Sequence, residues 1–206
     1  MNEKFFTLPE EKRERIINAG LKCFAKGGYK HTVTDDIAAQ AEISKGLLFH
    51  YFGNKKELYE YLFDYGIRFV KERMEAVSAL KGDDFFDIIK TATLVKTNMM
   101  KEHPYVFDFI IKAYYDESAP AMECIESLYA VALKENTKLI LAQVGKEKFK
   151  EGVDLELLTS MIYWMADGFM LRQQRAGNLY DMDTITAQFG AAMQELRRAF
   201  YKEEYI

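Results

Sequence analysis

The stretch Ile43-Ser44-Lys45-Gly46-Leu47-Leu48-Phe49-His50-Tyr51-Phe52, with Gly53-Asn54-Lys55-Lys56 behind it, sets the tightest limit on what this chain can fold into. It packs a helix start, a short helix and a basic stop into fourteen residues. Ser44 suits an N-cap, because its hydroxyl can accept from a backbone N–H of the first turn. Leu48 and Phe52 lie four apart and share one helical face, with Ile43 just before it. The other face carries Lys45, Leu47, Phe49, His50 and Tyr51. Such a row of Lys, His and Tyr opposite an apolar stripe suits insertion into a DNA major groove. It also fits a short core helix with a few exposed aromatics, and the flanking sequence must decide.

Upstream, Thr7-Leu8-Pro9-Glu10 reads as a helix start, with Thr7 as cap and Glu10 closing a capping box. The helix runs to about Lys26 with Ile16, Ile17, Gly20 and Phe24 on one stripe, and Gly27-Gly28 ends it. After a loop through Tyr29 and His31, Thr32-Val33-Thr34-Asp35-Asp36 opens a second helix, for which Thr32 with Asp35 makes the better capping box. Ile37, Ala38 and Ala41 form its inner side. Ala41-Glu42-Ile43-Ser44 is then a turn into the opening stretch, and two short helices so joined make a helix-turn-helix.

Downstream the pattern is helical throughout. Leu58, Tyr61, Leu62, Tyr65 and Phe69 mark a long helix from Lys55 to about Leu80, broken by Lys81-Gly82-Asp83-Asp84. Helices follow over Phe85 to about Lys101, Tyr105 to about Tyr115, and Ala121 to Val144. Pro104 marks the start of the second of these, which makes His103 a helix-start residue. Glu117-Ser118-Ala119-Pro120 is a loop, and Gly145 to Gly152 is charged and loop-like. The last two helices span about Asp154–Ala176 and Met182–Tyr201. Their apolar faces are broader than one chain easily covers, which calls for a second copy across a two-fold axis. The expected fold class is all-α: an N-terminal three-helix domain over residues 1–54 and a larger helical domain over 55–206, about nine helices together.

Charge divides the same way. Residues 1–56 carry ten Lys/Arg against seven Asp/Glu, and the other 150 carry 18 against 25, giving +3 and −7 within the net −4. A basic head on an acidic body suits a nucleic-acid module attached to a domain that does not bind nucleic acid. No apolar run approaches the ~20 residues of a membrane span, and Met1 to Leu8 is short and mixed, so the expected location is cytoplasmic, with no membrane partner. Cys23 and Cys124 are expected as buried free thiols rather than a disulfide or a thiol sensor. A di-metal oxidase would need Glu-x-x-His, which does not occur, and the three histidines are isolated. Nor is there a Cys-x-x-Cys, a Gly-x-Ser-x-Gly or a phosphate-cradling glycine loop, so no enzyme activity and no cofactor are expected. A helical adaptor that binds only protein would explain the C-terminal helices but not the Lys/His/Tyr face.

Five pieces of the N-terminal region resemble the TetR family of bacterial transcriptional regulators in order and spacing. They are Ala19 to Tyr29, then Thr32, then Asp36-Ile37-Ala38, then Ser44-Lys45-Gly46 with Leu48 to Phe52, then Lys55-Lys56-Glu57-Leu58. The rest of the chain is similar only in length and helical character. The resemblance implies that the helix from Ser44 to Phe52 enters the major groove. Lys45, Leu47, Phe49 and His50 would then read base edges. Thr32, Ser44, Tyr51 and Lys55 would hold phosphates, and Gly46 would permit close approach. It further implies an inverted-repeat operator bound by a homodimer, and repression relieved by a small effector. Two departures stand out. Glu42 stands where the family often has Gly, at a cost on the order of 1 kcal/mol if the left-handed backbone is kept. Leu47 stands where the family often has Thr, so a thymine methyl replaces a hydrogen bond there. An effector pocket is expected from Met99, Met100, Phe107, Ile111, Tyr114, Tyr115, Met161, Trp164 and Phe169, whose apolar and aromatic character suits a flat or greasy ligand. Asp167 is either a counter-charge for a cationic ligand or a solvated or interface-rim residue.

Overall fold

The structure is a computed structural model and describes residues 3–78, 82–116, 122–177 and 181–206. The loop expected at Glu117-Ser118-Ala119-Pro120, the helix ends expected at Leu80 and Ala121, and the Cys124 side chain lie outside what it describes. Among the described residues there are nine α-helices: α1 Glu10–His31, α2 Thr34–Gln40, α3 Lys45–Phe52, α4 Lys55–Ser78, α5 Phe85–Glu102, α6 Pro104–Tyr114, α7 Met122–Leu141, α8 Leu155–Ala176 and α9 Met182–Phe200. The all-α expectation holds, and the expected helix ends fall within a few residues of these. Two compact units form: residues 1–71 with 103–132, and residues 72–102 with 133–206.

In the first unit α1 packs against both α2 and α6. Its apolar stripe is that read from the sequence, with Ile16, Ile17 and Phe24 buried. Gly20 sits where an added Cβ would lie 2.6 Å from Leu62 Cδ1, so the missing side chain lets α1 and α4 close together. The glycine break also forms: Gly28 adopts φ 62, ψ −172 and interrupts α1 before a last turn to His31.

Two N-terminal expectations need correction. Thr7 is not the cap of α1: Pro9 holds that position without a side-chain bond, and the Thr7 hydroxyl donates to Lys4 O at 3.0 Å. The cause is Phe5, fully buried at the end of a 3-10 turn, Glu3–Phe5, which draws the preceding chain onto the domain. Nor does Thr32 cap α2. Val33 is the N-cap, and the buried Thr32 hydroxyl donates to Gly28 O at 2.7 Å, with Cys23 O 3.0 Å away, so it is drawn to the α1 break and not to the first turn of α2.

In the second unit α5 packs on α9, and a core of Phe85, Phe86, Ile89, Ile140, Leu158, Ile162 and Met193 fills the space inside. The segment expected as a charged loop contributes to that core. Phe149 is buried and forms an antiparallel bridge with Tyr201, whose hydroxyl accepts from Phe85 N at 3.0 Å. A single apolar residue among charges carries no periodic signal, so only the packing identifies Phe149.

Candidate nucleic-acid interface

Ser44 caps α3 as its sequence suggests, its Oγ accepting from Leu47 N at 3.1 Å. The turn before it is built from an unusual residue. Glu42 takes φ 55, the left-handed conformation that a glycine would adopt freely. Arg15 of α1 fastens this turn from outside: its Nε donates to Ala41 O at 3.0 Å, and its guanidinium pairs with the Glu42 carboxylate at 3.2 Å. No sequence pattern flags Arg15, because its partners come from a turn 26 residues away.

One face of α3 is locked. Leu48 and Phe52 are buried, as expected from their spacing. Tyr51 departs from the outward face expected of it. It is only 5% exposed, because Phe5 arrives over it with ring centroids 5.7 Å apart. Phe5 also meets Phe52 at 4.8 Å and Tyr61 of α4 at 5.5 Å, so it pins the end of α3 to the next helix. The opposite face meets water: Lys45, Gly46 and His50 are exposed, and Leu47 and Phe49 half-buried. Nothing lies near the position of an added Cβ at Gly46 except Ser44 Oγ, 4.0 Å away.

Behind α3, Gly53 turns the chain with φ 73, and Asn54 caps α4. Asn54 Oδ1 accepts from Glu57 N at 3.0 Å while its amide donates back to Glu57 Oε1 at 2.6 Å, a reciprocal cap that fixes the start of α4. Lys55 follows, half-buried, with Nζ 4.7 Å from the centre of the Tyr29 ring. Burial lowers the Lys55 ammonium from its ordinary pKa. Tyr29 is itself tied down, its N–H donating to Asp116 Oδ2 at 3.0 Å just beyond α6. The other expected DNA contacts thus separate by exposure: Ser44 is at the surface, Lys55 is partly so, and Thr32 is inside.

The residues expected to line an effector pocket fall in both units. In the first, Phe107 is buried while Ile111, Tyr114 and Tyr115 are half-buried, with Tyr114 against Tyr115 at 4.9 Å and Tyr129 at 4.4 Å. In the second, Met99 and Met100 are buried and Phe169 is half-buried. Met161 and Trp164 differ from the expectation. They are 42% and 65% exposed on the outer side of α8, in line with Leu157 at i, i+4 and i+7, while Leu158 and Ile162 take the inner side. Asp167 is half-buried and has a counter-charge within its own unit: burial lowers the Lys96 ammonium of α5, and the Asp167 charge opposes that shift. Cys23 is a buried free thiol, its Sγ accepting from Gln40 at 3.1 Å. Burial, then the Asp36 charge, raises its pKa.

A capped helix held by one face behind a fastened turn, with a cation and an imidazole on its free face, defines a helix-turn-helix module. Residues 16–62 match the family described as bacterial regulatory proteins, tetR family. Over that stretch the chain is similar to TetR-family HTH-type transcriptional regulators. It is 27% identical over 153 residues to the uncharacterized HTH-type transcriptional regulator YerO of Bacillus subtilis (strain 168), a match covering 72% of this chain and 52% of that protein. The chain thus spans about half the length of that relative. A TetR family transcriptional regulator from Chloroflexus aurantiacus J-10-fl has a similar fold, with a TM-score of 0.70 at 20% identity over 98% of this chain and 99% of that one. So does the transcriptional regulator FadR from Bacillus subtilis, solved in complex with stearoyl-CoA, with a TM-score of 0.70 at 19% identity over 87% of this chain and 96% of that one. No helix among the described residues is long and apolar enough to cross a membrane.

Proposed function

We propose that the protein is a homodimeric DNA-binding repressor, released from an inverted-repeat operator by a small apolar or aromatic effector. The observation that carries this reading is the division of α3: Leu48, Tyr51 and Phe52 are buried, while Lys45, Gly46 and His50 face solvent. Residues 1–54 bind DNA, and residues 55–206 bind effector and dimerise. Lys45 and His50 read base edges, Leu47 and Phe49 pack on thymine methyls, and Gly46 allows close approach. Ser44 and Lys55 hold phosphates, with backbone N–H groups at the helix starts. Thr32 and Tyr51 support the interface from inside, since their side chains are buried.

The dimer forms through α8 and α9. Leu157, Met161 and Trp164 make an exposed apolar stripe on α8, and the exposed Ala187 and Ala191 on α9 permit close helix approach. A large aromatic such as Trp164 is a natural anchor for such an interface. The two copies of α3 would then meet successive major grooves ~34–36 Å apart. An effector favours a dimer geometry that no longer matches this spacing. The lever is α4, whose first residues carry Lys55 and whose last residues belong to the effector domain. The stearoyl-CoA bound by the FadR neighbour is the greasy kind of molecule that the Met- and aromatic-rich body suits.

Selection of duplexes from a random pool by the purified chain tests this reading. The expected product is a two-fold symmetric consensus bound saturably at physiological salt. A chain that selects nothing above random DNA would overturn it.

A further inference from the structure

One ion pair joins the two helices of the helix-turn-helix on their solvent side. Lys45 Nζ lies 3.0 Å from Asp35 Oδ2, with the two side chains 51% and 59% exposed. Lys45 is the first residue of α3, where the helix's own free N–H groups already favour negative charge. A cation there draws no support from α3, whose first turn holds no acidic residue; its counter-charge comes from the first turn of α2. The neighbouring carboxylate acts elsewhere, since the Asp36 charge bears on the buried Cys23 thiol. The strongest candidate for reading a base is therefore already engaged before DNA arrives.

We propose that Asp35 is a specificity-determining residue, which withholds Lys45 from phosphates on ordinary DNA and releases it where a guanine edge offers two acceptors. This rests on the reading of α3 as the helix that enters the groove. Attraction to phosphate is the same on every sequence, so a free lysine strengthens binding to all DNA alike. A lysine neutralised by a neighbouring carboxylate adds little to that attraction. At an operator the phosphate contacts fix the register, so guanine O6 and N7 stand against the ammonium at a position where a random site offers no such pair of acceptors. The net effect weakens binding to the vast excess of competing genomic sites more than binding to the operator.

The test uses the full chain with Asp35→Asn, a duplex selected by the wild type, and a random-sequence duplex of equal length, each titrated across a salt series. The random duplex should bind about threefold or more tightly, with a salt slope steeper by about 0.9 per protomer. Affinity for the selected duplex should change less, so the ratio of the two falls. In a Lys45→Ala background the same substitution should leave the slope unaltered. Equal tightening on both duplexes, no change on either, or the same gain without Lys45 would each overturn the role of Asp35. In those cases the groove reading itself survives, because the wild type still selects a duplex. A wild type that selects none would remove both. The pair is exposed, so the variant keeps its fold, and its melting curve provides the check.

Discussion

Phe5 and Phe6 are neighbours in sequence and opposites in structure, which makes them an internal experiment. Phe5 is 0% exposed and meets Tyr51, Phe52 and Tyr61, whereas Phe6 is 51% exposed. Emptying a fully buried phenylalanine site in a closed core costs roughly 3–5 kcal/mol. Here the loss is capped, because the short segment that carries Phe5 can detach instead of leaving a cavity. Its backbone bonds Phe6 N to Glu3 O and Leu8 N to Phe5 O stay within the segment, and the tie from α1 is the exposed Arg13 Nη1 donating to Phe6 O at 3.3 Å. Phe5→Ala should therefore cost about 2–3 kcal/mol, which for a chain of this size lowers the melting temperature by roughly 5–10 °C. Phe6→Ala should cost under about 1 kcal/mol. Thermal melts at one fixed protein concentration measure both. Hydrogen exchange adds a local readout: in Phe5→Ala the amides near the end of α3 should exchange faster, because Tyr51 and Phe52 have lost their cover. Equal losses from the two substitutions, or a loss below about 1 kcal/mol from Phe5→Ala, would refute the claim that this residue pins α3.

Glu42→Gly relieves the left-handed backbone but gives up the Arg15 pair, while Arg15 keeps its bond to Ala41 O; the net should be a stabilisation of about 0.5 kcal/mol, and a clear fall in melting temperature would count against strain at this turn. Lys55→Ala should weaken binding to operator and random duplex alike and lower the salt slope by about 0.9 per protomer, whereas an unchanged salt titration would take Lys55 out of the interface. Asp83 is held below the ordinary carboxylate range by the hydrogen bond from Lys148, at 2.6 Å. Its contribution to stability is thus present above the unfolded value and is lost as pH falls through the lower folded value. Acid titration of the wild type should show this loss, and Asp83→Asn should lack it.

The sequence alone determined the helices and the helix-turn-helix. Apolar residues at three- and four-residue spacing, the glycine break within α1, the glycine after α3 and the Ser44 cap are all local signals, and each marks its element without help from the rest of the chain. Even the strain at Glu42 was legible, through the resemblance to a family that often has Gly at that place. What only the tertiary structure decided is which side of each residue meets water and which partner each polar group finds. Phe5 and Phe149 look like stray apolar residues in polar surroundings, and Tyr51 looks like an outward ring. Thr32 looks like a cap with Asp35 as its box partner, and Arg15 looks like an ordinary surface charge. Each takes its role from a neighbour distant in sequence, and periodicity reports only contacts within one helix. The physical reason is that burial and pairing are properties of two surfaces, of which a local stretch of sequence contains one.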